Sequence, residues 1–309
     1  METVAAVVVT YNRAALLKRC LSALGSQTRR LDAIYIVDNA SSDDTELAAR
    51  EFAETTNIHV RYRKLSENVG GAGGFGYGTR IAHAAGFSQI WLTDDDGVPA
   101  PSALKELLAV DELAIRNSLV VDIENPEKLA FTLSNLPAVA TVEDAVKKGR
   151  FLEGSVNAFN GTLVSSAVFD EIGFPYHGFF IWGDELDFIE RARLHNFRIG
   201  TVTNAIHCHP VNKKPHRLFG RFTVSVVDDR SLPIFMRNYC YNLTRYQGLR
   251  AGLLFFLKQC FYEIIDRRSP SRLLSGVRAS IDGIFFFDKE VRSGVKQPYS
   301  PLVSTSFET

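Results

Sequence analysis

Three consecutive carboxylates, Asp94-Asp95-Asp96, follow the apolar run Ile90-Trp91-Leu92 and are followed at once by Gly97-Val98-Pro99. Like charges packed this closely are costly unless something positive sits among them, and a hard divalent ion such as Mg²⁺ or Mn²⁺ takes carboxylate oxygen readily. The triplet therefore reads as a cation site at a strand end, and such ions usually bring phosphates with them. A solvated acidic loop or a helix N-cap is the plainer alternative, since Asp before Pro-Ala-Pro-Ser also suits a helix start. A second acidic group, Asp184-Glu185-Leu186-Asp187, follows Trp182-Gly183 and precedes the charge-rich helical pattern Phe188 to His195. Asp184 and Glu185 thus fall at or near a helix N-terminus, where carboxylates are favoured whether or not they do chemistry.

The elements that must carry these groups alternate in type. Val4–Thr10 is a β-branched run suited to a buried parallel strand, and Ala14–Leu24 has apolar residues at helical spacing. Ile34–Val37 reads as a second strand, Ser41 to Thr45 as the cap of a helix to Phe52, and Ile58–Tyr62 as a third strand. Tyr77–Ala85 follows as a helix and Gln89–Leu92 as a fourth strand. This order predicts a doubly wound, mainly parallel α/β sheet flanked by helices, with ligands beyond the carboxyl ends of its strands. Three of the four strands end there in polar loops: Thr10-Tyr11-Asn12-Arg13, Asp38-Asn39 and Asp94 to Asp96. The glycine-rich run Gly70-Gly71-Ala72-Gly73-Gly74-Phe75-Gly76 reads as a loop that could bring backbone N–H groups to an anion, or as a flexible connection. It is neither a dinucleotide fingerprint, which belongs after the first strand, nor a P-loop, which needs a following Gly-Lys-Ser/Thr.

Composition sets the frame. At 309 residues with 46% hydrophobic and 23% charged, the chain can bury a large core, and 35 basic against 35 acidic residues give no global attraction to nucleic acid. Cys20, Cys208, Cys240 and Cys260 form no CxxC pair, so reduced thiols in the cytoplasm are expected, without a disulfide or a zinc site. A strand pattern at the start and the lack of a long apolar run lead us to expect no signal peptide and no membrane span. Beyond about Arg221 the pattern becomes helical, over Ser231–Gln247 and Leu253–Ile265, with Ser269-Pro270 as a break. Between Arg237 and Arg292 stand ten Lys or Arg against five Asp or Glu, so this segment could lie on an anionic membrane, pack on a partner subunit, or pack on the core.

Taken together, Val7-Val8-Val9-Thr10-Tyr11-Asn12-Arg13, Val37-Asp38-Asn39-Ala40-Ser41-Ser42-Asp43-Asp44-Thr45, Asn68-Val69-Gly70 and the Asp94 triplet resemble the family 2 glycosyltransferases of GT-A fold. The resemblance resumes at Phe159-Asn160-Gly161 and Phe180-Ile181-Trp182-Gly183-Asp184-Glu185 and continues to His209. It implies that Asp38 holds the nucleobase of a nucleotide-sugar donor, with Thr10, Tyr11 and Arg13 lining the same pocket and Asn68, Gly70 and Gly71 nearby. It implies a metal, Mn²⁺ or Mg²⁺, on Asp94 and Asp96 facing the diphosphate, with Asp95 turned away or on the sugar. A histidine after the later strand reaches the metal or diphosphate in such enzymes, here His209 in preference to His207. The catalytic base is implied at Asp184, with Glu185 beside it and on the acceptor, and Trp182 either stacks on the acceptor or merely packs. Asp184 and Glu185 could instead simply cap their helix.

The function implied is inverting, metal-dependent transfer of a sugar to a hydroxyl of a cell-surface glycan or lipid-linked glycan precursor. Asn-x-Gly-Gly-Ala-Gly-Gly-Phe with Asp-Asp-Asp most resembles the galactofuranosyltransferases, so UDP-galactofuranose is the first donor and dTDP-rhamnose the second. A catalytically silent nucleotide-sugar binding subunit stays open as a different class. The expected organisation is a catalytic domain over 1–217, with a nucleotide-binding half at 1–98 and an acceptor half at 99–217, then a helical region at 218–309. That region would make the membrane or subunit contact, at the cytoplasmic face of the inner membrane.

Overall fold

The computed structural model describes residues 2–133, 135–211, 216–218, 222–285 and 287–309. The basic residues Lys213 and Lys214 lie outside them. The first half alternates as its hydrophobic periods require: β1 (Val4–Thr10), α1 (Ala14–Gly25), β2 (Ala33–Asp38), α2 (Thr45–Thr55), β3 (His59–Leu65), α3 (Gly70–Ala84) and β4 (Gln89–Asp94). Then come β5 (Val98–Pro99), α4 (Ala103–Leu108), β6 (Ile115–Asp122), α5 (Val142–Lys147), β7 (Phe151–Glu153), β8 (Thr162–Ser165), α6 (Ser166–Ile172), α7 (Asp184–Leu194) and β9 (Ile199–His209). Every residue of β1 and β2 is buried, as strands covered on both faces must be. The sheet is mixed, in the order β12-β3-β2-β1-β4-β8-β6-β9-β5, with β7 on β9, where β12 is Val303–Glu308 near the C-terminus.

Register decides what meets at the sheet's edge. Parallel pairing sets Thr10 beside Asp38 and Val9 beside Asp94, so the three polar strand ends share one rim. After β4 the chain turns through Asp95 to Gly97 and crosses to the far strand, where β5 pairs antiparallel with β9, Val98 opposite Cys208. His209 ends β9 and so arrives beside the acidic turn, although β4 and β9 are separated in the sheet by β8 and β6. The turn needs Gly97, because a Cβ there would lie 2.3 Å from His207 Nε2.

One expectation is corrected. The glycine-rich run is not a loop: α3 begins at Gly70, well before Tyr77, and the glycines are helical. They serve close approach. A Cβ at Gly74 or Gly78 would lie 2.5 Å from Val9 Cγ1 or Val7 Cγ1 on β1, and one at Gly70 would lie 1.9 Å from the Phe180 carbonyl. The helix therefore lies directly on the sheet and on the loop before α7, which a side chain would hold apart.

The C-terminal third holds a short ladder, β10 (His216–Leu218) with β11 (Phe222–Val224), and then the helices α8 (Leu232–Gln247), α9 (Leu249–Tyr262), α10 (Pro270–Phe285) and α11 (Phe287–Gly294). The chain was expected to be helical to its end, but β12 rejoins the sheet antiparallel to β3. Phe307 stacks on Tyr62 at 4.9 Å, and Glu308 pairs with Arg61 at 2.7 Å.

Close approach at α3 has a measurable consequence. Gly78→Ala should lower stability by about 1–3 kcal/mol, the usual cost of overpacking. Gly71→Ala, whose Cβ meets nothing within 4 Å, should raise it by about 0.5–1 kcal/mol through helix propensity. Urea unfolding midpoints check this, and equal shifts for the two substitutions would show that packing does not select these glycines.

Candidate active site

The polar rim opens on a cleft of about 410 Å³ whose wall includes Arg13, Gly71, Asp94, Asp96, Asp184, Glu185 and His209. Two acidic groups separated by nearly ninety residues thus face one space. Apolar side chains close the rest of it, among them Phe75, Phe131, Phe159 and Trp182.

Within the triplet each carboxylate has its own surroundings. Asp95 is buried and turned into the fold, accepting from Thr10 Oγ1 at 2.7 Å and from Arg13 Nη1 at 3.1 Å. Arg13 also reaches Asp96 Oδ2 at 3.1 Å, so one half-exposed guanidinium bridges two acids. Asp94, Asp96 and His209 offer ligand atoms that all lie within 4.8 Å of one another. His209 Nδ1 lies 2.8 Å from the Pro210 carbonyl, which can only accept, so Nδ1 carries a proton. A neutral ring therefore turns the lone pair of Nε2 toward Asp96 Oδ1, 3.1 Å away, and that buried oxygen has no hydrogen-bond donor among the described residues. Two acceptors face each other unless the ring gains a proton or a cation sits between them. Two carboxylates and an imidazole within this reach fit a divalent ion such as Mn²⁺.

The titrations follow from the same geometry. Burial, then the charges of Asp96 and Asp95, push Asp94 up to about 7. Burial would raise Asp96 too, but His209 and Arg13 hold it below the usual carboxylate range. For His209 burial acts downward, yet the Asp96 carboxylate outweighs it and the ring is raised above its ordinary value. Fully buried His207 moves the other way, down to about 3, and is a neutral core group.

The second acidic group stands on a constrained loop. Phe180, Trp182 and Gly183 all have positive φ, at 64°, 61° and 89°, so two side-chain-bearing residues occupy the left-handed region just before α7. What holds them is α8. Asn238 Nδ2 donates to the carbonyls of Phe179, Ile181 and Trp182 at 2.9, 3.0 and 2.7 Å, and Asn242 Nδ2 donates to that of Gly183 at 3.0 Å. From the other side Ala72 N–H donates to the Phe180 carbonyl at 3.1 Å. Asp184, the first residue of α7, is 4% exposed, and burial followed by the adjacent charge of Glu185 raises its pKa well above the ordinary carboxylate value. A carboxylate so raised is a stronger base than an ordinary one. Glu185 Oε2 accepts the Gly183 N–H at 2.9 Å, so it also caps the helix.

The remaining expected residues fall in different places. Trp182 lines the cleft and packs edge to face against Phe235 of α8 at 5.8 Å. Tyr11 is exposed beside the rim. Asp38 is not on the cleft wall: it is fully buried, accepting from Ser41 N–H at 2.7 Å and from the Tyr62 hydroxyl at 2.5 Å. Asn68 accepts the Gly70 N–H at 2.8 Å and so starts α3, and Gly70 is packed under Phe180, leaving Gly71 as the glycine of this run that faces the cleft. Asn238 and Asn242 were not singled out from the sequence. Two asparagines one helical turn apart in an apolar helix were the available signal, since buried amides are kept where they find partners.

An α/β sheet with an acidic cleft at its carboxyl rim is the arrangement of glycosyltransferases of GT-A fold, and the similar proteins place the chain in that class. Residues 5–113 match the family model described as glycosyl transferase family 2. The chain is 33% identical over 291 residues to galactofuranosyltransferase GlfT1 of Mycolicibacterium smegmatis, covering 90% of this chain and 95% of the relative. It is 33% identical over 288 residues to GlfT1 of Mycobacterium tuberculosis, covering 90% and 94%. The chain belongs to glycosyl transferase family 2 and is a glycosyltransferase. Among solved structures, Staphylococcus aureus TarS 1–349 in complex with UDP-GlcNAc has a TM-score of 0.56 at 16% identity, covering 91% of this chain and 81% of that one. The mannosyltransferase PcManGT of Pyrobaculum calidifontis, in complex with GDP-Man and Mn²⁺, has a TM-score of 0.55 at 14% identity, covering 91% and 87%. These distant likenesses establish the shared fold.

Because protons compete with metal for Asp94, Mn²⁺ affinity should fall as the pH drops through about 7, by about tenfold per pH unit for each proton to be displaced. His209, also raised, adds a second such proton. Calorimetric titration with Mn²⁺ across this range, with Asp96→Ala as control, measures it. An affinity independent of pH, or unchanged in Asp96→Ala, would remove these residues as ligands.

Proposed function

We propose that the chain is an inverting, metal-dependent transferase that moves galactofuranose from UDP-galactofuranose to a hydroxyl of a lipid-linked or cell-surface glycan. The observation that carries this reading is that the Asp94, Asp96 and His209 cluster and the buried Asp184 open on the same cleft. The sugar follows from the galactofuranosyltransferases that are 33% identical over nine tenths of the chain. A silent binding subunit would have no physical need for a buried carboxylate of raised pKa beside a cation cluster.

In this reading residues 1–98 carry the donor half, 99–217 the acceptor half, and 218–309 the helices that brace the loop before α7. The acceptor oxygen attacks the anomeric carbon from the face opposite the diphosphate, which inverts that centre. Its proton passes to Asp184, the new C–O bond forms, and the bond to the diphosphate breaks with the electron pair leaving on phosphate oxygen. A divalent ion, Mn²⁺ or Mg²⁺, on Asp94, Asp96 and His209 would offset the charge that develops there. Arg13, half exposed at the cleft, adds a fixed positive charge, and Thr10 and Asp95 hold it in place. Asp38 shapes the nucleobase end indirectly, through Ser41 and Tyr62.

Asp184→Asn keeps the shape of the side chain but removes the proton acceptor, so transfer should fall by about 10²- to 10⁴-fold while calorimetric UDP affinity with Mn²⁺ stays the same. Glu185→Gln should cost less. If the two outcomes are exchanged, the base is Glu185; if neither substitution slows transfer, the cluster only caps α7. A parallel rate measurement with dTDP-rhamnose decides between donors.

The C-terminal helices present a second surface. Leu254 and Leu257 of α9 and Leu274 and Ile281 of α10 are 46–68% exposed, and Arg250, Lys258 and Arg278 stand among them. Among the described residues no helix is long and apolar enough to cross a membrane. Projecting apolar side chains set among basic ones are complementary to an anionic leaflet, so this face rests on the cytoplasmic side of the membrane that carries the lipid-linked acceptor. The protein should sediment with phosphatidylglycerol vesicles and much less with phosphatidylcholine, and Leu254→Asp with Leu257→Asp should abolish the difference. Loss of a dimer in that variant, with no vesicle binding by the parent protein, would assign the face to a second copy.

A further inference from the structure

A second cleft, of about 540 Å³, opens from the first, and the two share Phe131, Ala158, Asn160 and Glu185 as a common wall. It runs along α7 to the end of α8, which contributes Tyr239 and Gln247. Its chemistry differs from that of its neighbour. The cation cluster belongs to the first cleft; of the charges on the second, Glu190 and Arg193 are paired with each other, and Glu185 stands on the wall shared with the first. Away from that shared wall, the polar groups left to meet a ligand are neutral: the amides of Asn157 and Gln247 and the hydroxyl of Tyr239. None of these three side chains has a hydrogen-bond partner among the described residues. Such a wall gives little to a phosphate and much to an uncharged molecule rich in hydroxyls.

We propose that this cleft holds the acceptor glycan, its sugar rings lying along α7 and the hydroxyl to be glycosylated arriving at the shared wall beside Glu185. The proposal rests on the glycosyl-transfer reading above and adds to it a location and a chemical class, an uncharged polyhydroxyl chain. Tyr239 lies near enough to Glu185 and Asp184 for their charges, after burial, to raise its phenol to about 12, so its hydroxyl stays protonated and can donate to a sugar oxygen. The same α8 that fixes the loop before α7 through Asn238 and Asn242 thus also presents a side chain to the acceptor.

The test uses the full chain, radiolabelled UDP-galactofuranose with Mn²⁺, and the lipid-linked glycan fraction extracted from cells of the organism that encodes the protein. Tyr239→Phe removes only the hydroxyl, and Asn157→Ala with Gln247→Ala removes two amides of the same cleft. Each variant should raise the extract concentration for half-maximal rate by about 3- to 10-fold, the loss of one or two neutral hydrogen bonds, with the saturated rate within about twofold. UDP affinity with Mn²⁺ should be unchanged, which also shows that both variants are folded. Half-saturation unchanged in both variants, or a loss confined to the saturated rate, would overturn the proposal. If the unmodified protein binds UDP with Mn²⁺ yet labels no glycan, it is the transfer reading that fails, and this one with it.

Discussion

Like charge is gathered in this protein faster than it is neutralised. Asp94, Asp96, Asp184 and Glu185 face one cleft, whose wall answers with Arg13 and His209. Burial raises the cost of each negative charge, and the consequences appear as the raised titrations of Asp94 and Asp184. A site of this kind is poised to take positive charge from outside, and a cation bound there costs the protein less than leaving the carboxylates to themselves. The same imbalance makes Asp184 more basic than an ordinary carboxylate. The rest of the structure can be seen as the framework that keeps these groups together against their repulsion.

That framework grips the loop before α7 from two sides. The strained backbone of Phe180 and Trp182 would relax if left alone, since left-handed conformations of bulky residues cost about 1–3 kcal/mol each. Four hydrogen bonds from Asn238 and Asn242, and one from the N-terminus of α3, hold it. Asp187, one turn into α7, completes the grip: it pairs with Arg191 at 2.8 Å and accepts from Tyr246 of α8 at 2.7 Å. The C-terminal helices are therefore part of the site's architecture, whatever their outer face contacts. Most of their basic residues are exposed, Arg272 being buried against Glu263 and Asp229, while the groups that hold the loop from α8 are uncharged amides.

The glycine-rich helix shows how one sequence feature can serve a different end from the one its composition brings to mind. Without side chains, α3 settles onto Val7 and Val9 and under Phe180, and so positions both the first strand and the loop before α7. Its backbone donors at Gly70 and Ala72 are used by Asn68 and Phe180. Glycine here gives proximity between elements of the fold, and Gly71 is left facing the cleft.

By itself the sequence determined the strands and helices of the first half, because their apolar periods and polar strand ends are local patterns that no tertiary contact needed to override. It determined as well that Asp94, Asp96 and Asp184 are acidic groups at the ends of elements, and through resemblance that they belong to one site. It could not show that Asp95 turns inward to Thr10, that Asp38 is sealed beneath Tyr62, or that α3 begins at Gly70, since each depends on a neighbour remote in the chain. Nor did any local period reveal that Val303–Glu308 would add to β3 or that Asn238 would brace the loop before α7. Those were decided by tertiary structure: edge pairing, helix docking and the crossing of β5 to β9 bring together groups whose separation along the chain carries no information about their distance in space.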